Sequence, residues 1–288
     1  MVGDGNAIEP LLNGAVLPIE HADDVIHMGA NPARALREQP DSSIAVASRL
    51  VKEGQADSLV SAGSTGAAMA AAAIIIGRVA GVLRPSIASV IPTLGTPTIV
   101  LDSGANPDCK PQHLHQFAIM GTILSHELFG VAEPRVGLLN IGEEEGKGRD
   151  IEKAAFDVIA ADDTINFVGN VEGTDVARDP ADVIVTDGFT GNVFLKTTEG
   201  AVRLALSMVR QQFTEQPAEA QEALGDVLEH LSMTLDADAA GGALLVGTNA
   251  TVVIAHGSSS ARAIENAIAM AADGAAHHLP ELFAERLG

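Results

Sequence analysis

Short apolar segments alternate along this chain with longer segments of helical periodicity, and this alternation constrains the fold most. The apolar segments are rich in Val, Ile and Leu on both faces, which is typical of strands buried in a parallel sheet. They predict strands at residues 58–62, 98–101, 136–141, 165–168, 183–186 and 252–255. The intervening segments predict helices at residues 43–53, 65–82, 111–129, 150–161, 192–213 and 261–272. The alternation predicts one α/β domain over residues 1–288, a three-layer fold with helices flanking a parallel or mixed sheet.

Composition excludes several classes of protein. The chain has 17 Lys and Arg against 38 Asp and Glu, a net charge of −21. A nucleic-acid-binding surface needs dense positive charge, so we expect no nucleic acid partner. A single cysteine, Cys109, excludes an intramolecular disulfide and a zinc site built on several cysteines. The sequence shows no targeting segment, and its longest uncharged apolar run, residues 67–77, is shorter than a bilayer span. We therefore expect a soluble, cytoplasmic, acidic protein.

The segment from about residue 200 to 236 has a different pattern. One apolar stripe of helical spacing consists of Val202, Leu206, Val209 and Phe213. A second stripe, after a break at Pro217, consists of Leu224, Val227, Leu228, Leu231 and Leu235. The two stripes predict a helical hairpin that packs on the body of the protein or on a second subunit. Residues 211–261 contain no Lys or Arg but seven acidic residues, which disfavours a membrane surface.

Five segments each contain the end of a predicted strand and the polar loop that follows it, at the edge where open α/β sheets bind ligands. They are SAGSTGA (61–67), LDSGANPDCKP (101–111), NIGEEEGKG (140–148), VTDGFTGNVFLKTTEG (185–200) and VVIAHGSSSA (252–261). Backbone N–H groups at helix starts and nearby hydroxyls can bind an anion. Taken singly, each segment is also compatible with a turn or helix cap that binds nothing. Because a parallel sheet gathers such segments at one edge, their number favours a functional site.

The candidate residues are polar or are glycines that let the backbone approach a ligand. They are Ser61, Gly63, Ser64, Thr65, Gly66, Asp102, Asn106, Asp187, Gly191, Asn192, Lys196, His256 and Ser258. Thr190, Gly191 and Asn192 are predicted to open a helix, with Lys196 on the same face as Asn192. Lys147 and Arg149 are further candidate anion contacts. The three consecutive acids at 143–145 diverge, so we expect a solvated turn and no metal site. Cys109 is expected to be a small, partly buried residue rather than a nucleophile.

The order of motifs along nearly the whole chain resembles the bacterial phosphate acyltransferase family, PlsX. The motifs are SAGSTGA, LRPSIASVIPT, LDSGANPDCKP, LHQFAIMG, VGLLNIGEEEGKG, FVGNVEGTD, VIVTDGFTGNVFLKTTEG and AHGSS. The resemblance implies conversion of acyl-[acyl-carrier-protein] and inorganic phosphate into acyl phosphate for phospholipid synthesis, with no cofactor. It also implies a fold similar to the isocitrate and isopropylmalate dehydrogenases and the phosphate acetyltransferases. A homodimer with its site in a cleft between two parts of the subunit is implied as well.

The chain departs from the family pattern at several positions. The family begins with a strand and a DAMGGD-like loop some forty residues upstream, so we expect the first βα unit to be absent here. Ser64 replaces the usual Asn of SAGNTG, and Ala250 replaces a Gly of GxNG. The hairpin is acidic, whereas family members are thought to meet the membrane near it. A weak peripheral contact with the membrane or with a downstream acyltransferase therefore stays open.

The reaction requires positioning and charge more than proton transfer, because phosphate is already nucleophilic and a thiolate leaves easily. Lys196, His256 and Asn192 are the predicted catalytic contacts. The predicted hydrogen-bond donors to phosphate or to the substrate carbonyl are Ser61, Ser64, Thr65, Asn106 and Ser258. Asp102 and Asp187 are predicted to orient these donors. Two alternatives remain: a phosphotransacetylase-like enzyme that uses acyl-CoA, and a non-catalytic remnant that binds carrier protein.

Overall fold

The computed structural model describes residues 1–93, 95–214, 217, 225, 227, 231 and 241–288. The chain divides into two compact units. The first unit contains Met1–Pro85 and Gly242–Gly288, and the second contains Ser86–Gly241. This division does not test the sequence-based assignment of a single domain, which stays a prediction.

The strands and helices alternate along the chain as the sequence pattern indicates. In chain order, the strands are β1 (Val2–Gly3), β2 (Glu20–His21), β3 (Ser58–Ser61), β4 (Ser86–Ile91), β5 (Thr98–Leu101), β6 (Arg135–Asn140), β7 (Asn166–Glu172), β8 (Val183–Val185), β9 (Ala243–Val246) and β10 (Thr251–Ile254). The helices are α1 (Gly5–Ile8), α2 (Pro32–Glu38), α3 (Ser43–Lys52), α4 (Thr65–Ala71), α5 (Pro111–Phe129), α6 (Asp150–Ala160), α7 (Gly188–Thr214), α8 (Ala261–Ala276) and α9 (Leu279–Leu287). A π-helical turn, Ala72–Ile76, continues α4.

In the second unit the strands lie in the order β4-β5-β8-β6-β7. Strands β5, β8, β6 and β7 are parallel, and β4 is antiparallel to β5. The register pairs Val100 with Ile184, and Leu138 with Val185. Because parallel strands end at the same edge, the segments that follow β5, β8 and β6 are brought together there.

Helices cover both faces of this part of the sheet. Alternate residues of a strand face opposite sides. On one side, α5 comes so close that a Cβ on Gly121 would overlap Val183 and touch Leu101. On the other side, Val100 and Ile184 belong to a buried apolar cluster against which Phe194 and Leu195 of α7 pack. The result is a three-layer arrangement in which the strands are buried on both faces, as their composition predicts.

In the first unit, β3 and β10 are parallel neighbours and β9 is antiparallel to β10. The register places Ile254 opposite Ser61, so β3 and β10 end side by side. Helix α8 packs against both strands. Strands β1 and β2 form a separate parallel pair.

The sheet is mixed, because β4 and β9, which the pattern does not mark as strands, run antiparallel to their neighbours. This agrees with the expectation of a parallel or mixed sheet, and three helix bounds are corrected. The helix predicted for residues 65–82 ends at Ile76, where Gly77 adopts a φ of +94°. Helix α7 begins at Gly188 rather than Asn192, and α8 extends to Ala276.

The predicted hairpin is only partly within the described residues. Its first stripe lies on α7, where Val202 and Leu206 are half-buried. Of its second stripe, only Val227 and Leu231 are described, and both are exposed. In the described ranges, no helix is long and apolar enough to cross a membrane.

Candidate active site

The carboxylate of Asp102, directly after β5, organises the loop that follows it. It is fully buried. Its Oδ1 accepts hydrogen bonds from the backbone N–H of Ile87, Gly104 and Ala105 at 3.1, 3.0 and 2.9 Å. Its Oδ2 accepts from the backbone N and the side-chain Nδ2 of Asn106 at 2.6 and 2.8 Å. Five donors on one carboxylate fix the 102–106 loop in a single conformation.

The amino terminus of α7 is seated directly on this loop. The backbone N of Gly188 donates to the carbonyl of Asn106 at 2.8 Å. A Cβ on Gly191 would lie 1.9 Å from the carbonyl oxygen of Asp102, so the contact requires glycine. The two glycines therefore bring helix and loop to backbone contact.

Side-chain contacts strengthen the same junction. The Nδ2 of Asn192 donates to the carbonyl of Ser103 at 3.1 Å. The hydroxyl of Ser103 lies 2.7 Å from that of Ser89 on β4. Asn192 thus carries one scaffold hydrogen bond while its side chain stays exposed.

Asp187 caps α7 and connects it to α6 through Arg149. Its Oδ1 accepts from the backbone N of Thr190 at 2.8 Å, and its Oδ2 from the Thr190 hydroxyl at 3.1 Å. The guanidinium of Arg149 bonds both Asp187 and Glu152, whose carboxylates are buried. Hydrogen bonds to Glu152 and then Asp187 raise the pKa of Arg149 above its ordinary value. Arg149 is therefore a permanent cation, 58% exposed, held at the edge where β6 and β8 end.

The segment after β6 is tied down by amide side chains. The Nδ2 of Asn140 donates to the carbonyl of Lys147 and to Oδ1 of Asn170, each at 3.1 Å. The three acids at 143–145 are exposed, as expected for a solvated turn. Among the described residues, no group of three or more His, Cys, Asp or Glu side chains is arranged to hold a metal ion.

The first unit has a second group of candidate residues at the ends of β3 and β10. The hydroxyl of Ser61 accepts from the backbone N of Gly63 at 3.3 Å. Ser64 caps α4 by accepting from the backbone N of Ala67 at 3.4 Å. The backbone N of Ala255 donates to the carbonyl of Ser61 at 2.9 Å, which places the two strand-end loops side by side. Thr65 and Gly66 lie in the first turn of α4.

The loop after β10 carries an exposed imidazole. His256 Nδ1 lies 2.6 Å from the hydroxyl of Ser258. Ser259 accepts a hydrogen bond from the backbone N of His256 at 3.1 Å, and Ser260 caps α8. These hydrogen bonds orient the ring so that Nε2 is available on the exposed side.

The predicted site residues thus fall into two sets. The second unit brings together Asp102, Asn106, Asp187, Gly191 and Asn192. The first unit brings together Ser61, Gly63, Ser64, Thr65, Gly66, His256 and Ser258. Lys196 lies further along α7, is 57% exposed, and forms a 2.9 Å ion pair with Glu199.

Two predicted features are corrected and one contact was not anticipated. Helix α7 begins at Gly188, before Thr190 and Gly191, and the backbone N–H groups of these two residues are bonded to Asp187, so they are not free to bind an anion. Arg149 is engaged by two carboxylates rather than free for an anion. Glu152 was missed as its partner, although its place three residues after Arg149, at a helix start, fits a capping pair.

A family model described as fatty acid synthesis protein matches residues 1–281. Among curated proteins, a phosphate acyltransferase of Heliobacterium modesticaldum is 46% identical over 282 residues, covering 95% of this chain and 84% of its own length. A phosphate acyltransferase of Elusimicrobium minutum is 45% identical over 254 residues, covering 88% of this chain and 74% of its own length.

Solved structures resemble the chain at lower identity. A phosphotransacetylase from Streptococcus pyogenes superimposes with a TM-score of 0.63 and 18% identity, covering 96% of this chain and 85% of that chain. EutD phosphotransacetylase from Staphylococcus aureus superimposes with a TM-score of 0.60 and 19% identity, covering 98% of this chain and 85% of that chain. At these identities the likeness concerns the fold, and it agrees with an α/β sheet flanked by helices.

Proposed function

The chain belongs to the PlsX family of phosphate acyltransferases, and on that premise we propose that it transfers the acyl group of acyl-[acyl-carrier-protein] to inorganic phosphate. The products are acyl phosphate, for phospholipid synthesis, and free carrier protein. The observation that carries the proposal is the convergence, within each unit, of Gly-, Ser- and Asn-rich loops at the ends of neighbouring parallel strands. Such loops hold anions, and both phosphate and the developing oxyanion are anions.

The reaction forms one C–O bond and breaks one C–S bond. A phosphate oxygen attacks the thioester carbonyl carbon, and the carbonyl oxygen becomes an oxyanion. Collapse of this intermediate expels the carrier protein's thiolate, which takes a proton from solvent. The enzyme's work is to hold phosphate against the carbonyl and to stabilise negative charge.

We assign charged and polar contacts with substrate to Lys196, His256 and Asn192. The ammonium of Lys196 leaves its ion pair with Glu199 and binds the substrate instead. The exposure of the Lys196 side chain permits this change of partner. The Nε2 of His256 is the ring nitrogen assigned to substrate, because Nδ1 is engaged by Ser258. The hydroxyls and amide groups assigned to phosphate and carbonyl are those of Ser61, Ser64, Thr65, Asn106 and Ser258. Asp102 and Asp187 are positioning residues, since their oxygens already accept from the loops they hold.

Docking of the acidic carrier protein requires a local basic patch that outweighs the net charge of −21. The candidates are Arg78 and Arg84 in the first unit and, separately, Lys110 and Lys147 in the second unit. Arg149 is less suited, because its charge is shared with Asp187 and Glu152. Raising the salt concentration should therefore weaken carrier-protein binding, and tighter binding at high salt would exclude a basic patch as the docking element.

We further propose that the protein acts as a homodimer in the cytoplasm, with any membrane contact weak and peripheral. Support comes from α7, whose apolar side chains Leu204 and Met208 are 62% and 60% exposed. Exposed apolar side chains on one helix favour burial against a second copy. Light scattering at micromolar concentration should give the mass of a dimer, and a monomer mass would contradict this assignment.

The activity is tested with purified protein, acyl-[acyl-carrier-protein] and inorganic phosphate. We expect the free carrier-protein thiol and acyl phosphate, trapped as the hydroxamate, to appear in equal amounts and only when phosphate is present. Thiol release without phosphate would indicate a thioesterase. A parallel reaction with acyl-CoA separates the alternative carrier: faster turnover of acyl-CoA would assign the chain to the phosphotransacetylase type.

A further inference from the structure

Arg149 bridges two buried carboxylates that belong to different elements of the second unit. One is that of Glu152, in the first turn of α6, and the other is that of Asp187, directly before α7. Their side chains are 10% and 3% exposed. The Nε of Arg149 donates to Oε1 of Glu152 at 3.0 Å, and its Nη2 donates to both carboxylates. Among the described residues, no other cation forms an ion pair with either carboxylate.

The backbone of Arg149 is held in place separately from its guanidinium. Gly148 adopts a φ of +89°, and a Cβ there would lie 2.6 Å from Oδ1 of Asn140. The backbone N of Arg149 donates to Oε2 of Glu152 at 2.8 Å. The guanidinium therefore reaches Asp187 from an anchored position, and the bridge sets where Asp187 lies relative to α6.

The bridge continues into the backbone of α7. Oδ1 of Asp187 accepts from the backbone N of Thr190 at 2.8 Å, and the carbonyl of Asp187 accepts from the backbone N of Gly191 at 2.9 Å. A displacement of Asp187 therefore moves the first turn of α7. The same helix carries Asn192 and Lys196, so their positions depend on this turn.

Two buried carboxylates at this separation can both stay ionised only beside a cation. Because each bonds the same nitrogen, Nη2 of Arg149, their oxygens lie within about 6 Å of each other, the sum of two hydrogen-bond lengths. Buried like charges at that separation repel, and one of them takes up a proton when the opposing charge is removed. The guanidinium supplies that opposing charge throughout the neutral pH range.

The other charged side chains of the adjoining elements are engaged elsewhere or exposed. Lys147, in the turn before α6, lies 3.6 Å from a carboxylate of its own turn. Asp102, after β5, accepts its hydrogen bonds from backbone and amide N–H groups. Asp150 and Lys153 of α6 are exposed, and α7 has no charged side chain before Lys196. Removal of the guanidinium would therefore leave the two bridged carboxylates without compensation.

We propose that Arg149 is a positioning residue for the acyl transfer. Its charge keeps the two carboxylates together and thereby fixes the start of α7. Because that helix carries Asn192 and Lys196, the inference rests on the proposed function for the substrate contacts, though not for the bridge itself. Arg149 acts through Asp187 and not on the substrate.

The test compares Arg149→Gln with Arg149→Lys from pH 8 to pH 6, as the ratio of kcat/KM in each variant to that of the wild type at the same pH. At pH 8 the glutamine variant should lose about tenfold or more, because repulsion between the ionised carboxylates displaces the start of α7. The ratio should rise as the pH falls to 6, because one carboxylate takes up a proton. The lysine variant keeps the charge and should retain most of the activity at every pH. Lys153→Gln, which removes an exposed cation from the same helix, is the matched control and should show neither effect.

A second substitution separates the charge of Arg149 from its shape. Adding Glu152→Gln to Arg149→Gln removes the repulsion, so the double variant should regain activity at pH 8 and lose the pH dependence. If Arg149→Gln does not fold at pH 8, the double variant should fold there, because its remaining carboxylate has no like charge beside it. A loss that is equal at every pH and is not restored in the double variant would overturn the proposal.

Hydrogen exchange gives a measurement that does not depend on catalysis. At pH 8 the amides of Thr190 and Gly191, both bonded to Asp187, should exchange about tenfold faster in Arg149→Gln than in the wild type, and the double variant should restore their protection. Unchanged exchange would overturn the proposal whatever the activity. Faster exchange in a protein without acyl transfer would support the bridge and reject the proposed function. A rise in KM for phosphate alone, without pH dependence, would make Arg149 a direct substrate contact and also overturn the proposal.

Discussion

The two strand-end regions of this chain hold their loops by opposite means. In the second unit, the buried carboxylates of Asp102 and Asp187 each accept several hydrogen bonds and fix the backbone around them. In the first unit, surface hydroxyls such as Ser61 and Ser258 make one or two longer or local bonds and stay partly or fully exposed. A buried carboxylate that gives up its hydrogen-bond donors is left unsatisfied, at a high cost in free energy. An exposed hydroxyl can exchange its partner for water or substrate at a low cost in free energy. The comparison therefore assigns the buried carboxylates to holding the loops in place and the exposed hydroxyls to contact with substrate.

The largest expected effect is that of Asp102→Asn. The substitution replaces one carboxylate oxygen of Asp102 by an NH₂ group, which cannot accept hydrogen bonds from the N–H groups that face it. The buried side chain therefore loses several hydrogen bonds at once. We expect the free energy of unfolding to fall by about 3 kcal/mol, with loss of activity. Urea unfolding measures the change. The matched control is Asp108→Asn in the same loop segment, where the exposed carboxylate predicts a change within about 0.5 kcal/mol. Equal stability of the two variants would refute the scaffold role of Asp102.

Next in size is Lys196→Ala, which should separate activity from stability. Removing one contact to phosphate or oxyanion typically costs about a hundredfold in rate. The free energy of unfolding should change by less than about 0.5 kcal/mol, because the Lys196 side chain is 57% exposed and exposed ion pairs contribute little. Lys153→Ala, another exposed lysine on a helix, serves as the control and should leave turnover intact. Unchanged kcat/KM in Lys196→Ala would remove this residue from the site.

A smaller effect is expected from Gly191→Ala. Its Cβ would meet the Asp102 carbonyl at 1.9 Å, so α7 must shift away from the loop, at a cost of about 2 kcal/mol in unfolding free energy. Gly200→Ala, on the same helix with nothing within 4 Å of its Cβ, should instead stabilise by about 0.5–1 kcal/mol. Thermal unfolding of both variants measures the contrast, and similar melting temperatures would show that the helix–loop contact is not tight.

Local sequence signals predicted the parts of this fold that local physics determines. The strand at Thr98–Leu101 and the helix at Pro111–Phe129 have the predicted bounds. The strand is apolar throughout, and the helix has Pro at its first position and is followed by Gly130 in the left-handed region. Both signals act within a few residues of the element they define.

What the sequence did not predict depends on residues distant in the chain. Helix α7 begins at Gly188 rather than at the predicted Asn192. Gly188 and Gly191 are poor helix formers, but the contact with the 102–106 loop requires glycine at both positions. The direction of β4 is set by pairing with β5, which periodicity does not report. The partners of Arg149 include Asp187, which only the fold brings near. The sequence therefore predicts where the loops lie along the chain, but not the hydrogen bonds and ion pairs that hold those loops in place.

A modest, pH-dependent effect is expected from Asp182→Asn, away from both strand-end regions. Burial raises the pKa of Asp182, but hydrogen bonds from the side chain and backbone of Arg135 outweigh it and hold the pKa below its usual value. The pair should therefore stabilise the fold above the unfolded pKa of about 4, by about 1–2 kcal/mol, and less as pH falls through the folded value. Unfolding of wild type and variant from pH 7 to 3 measures this. The difference should shrink on acidification, and a constant gap would contradict the ion pair.

The smallest expected effect is that of Cys109→Ser, in the same loop segment as Asp102. The thiol donates a weak hydrogen bond to the carbonyl of Asn106 at 3.4 Å, which a serine hydroxyl can replace. Because phosphate itself attacks the thioester, no acyl-cysteine is needed, and turnover should change by less than about twofold. The substitution distinguishes direct attack from a covalent route through this loop. Mass spectrometry after rapid mixing with acyl-[acyl-carrier-protein] should find no acyl group on Cys109. An acylated Cys109 together with an inactive serine variant would convert this loop from scaffold to nucleophile and reverse the roles assigned to the two regions.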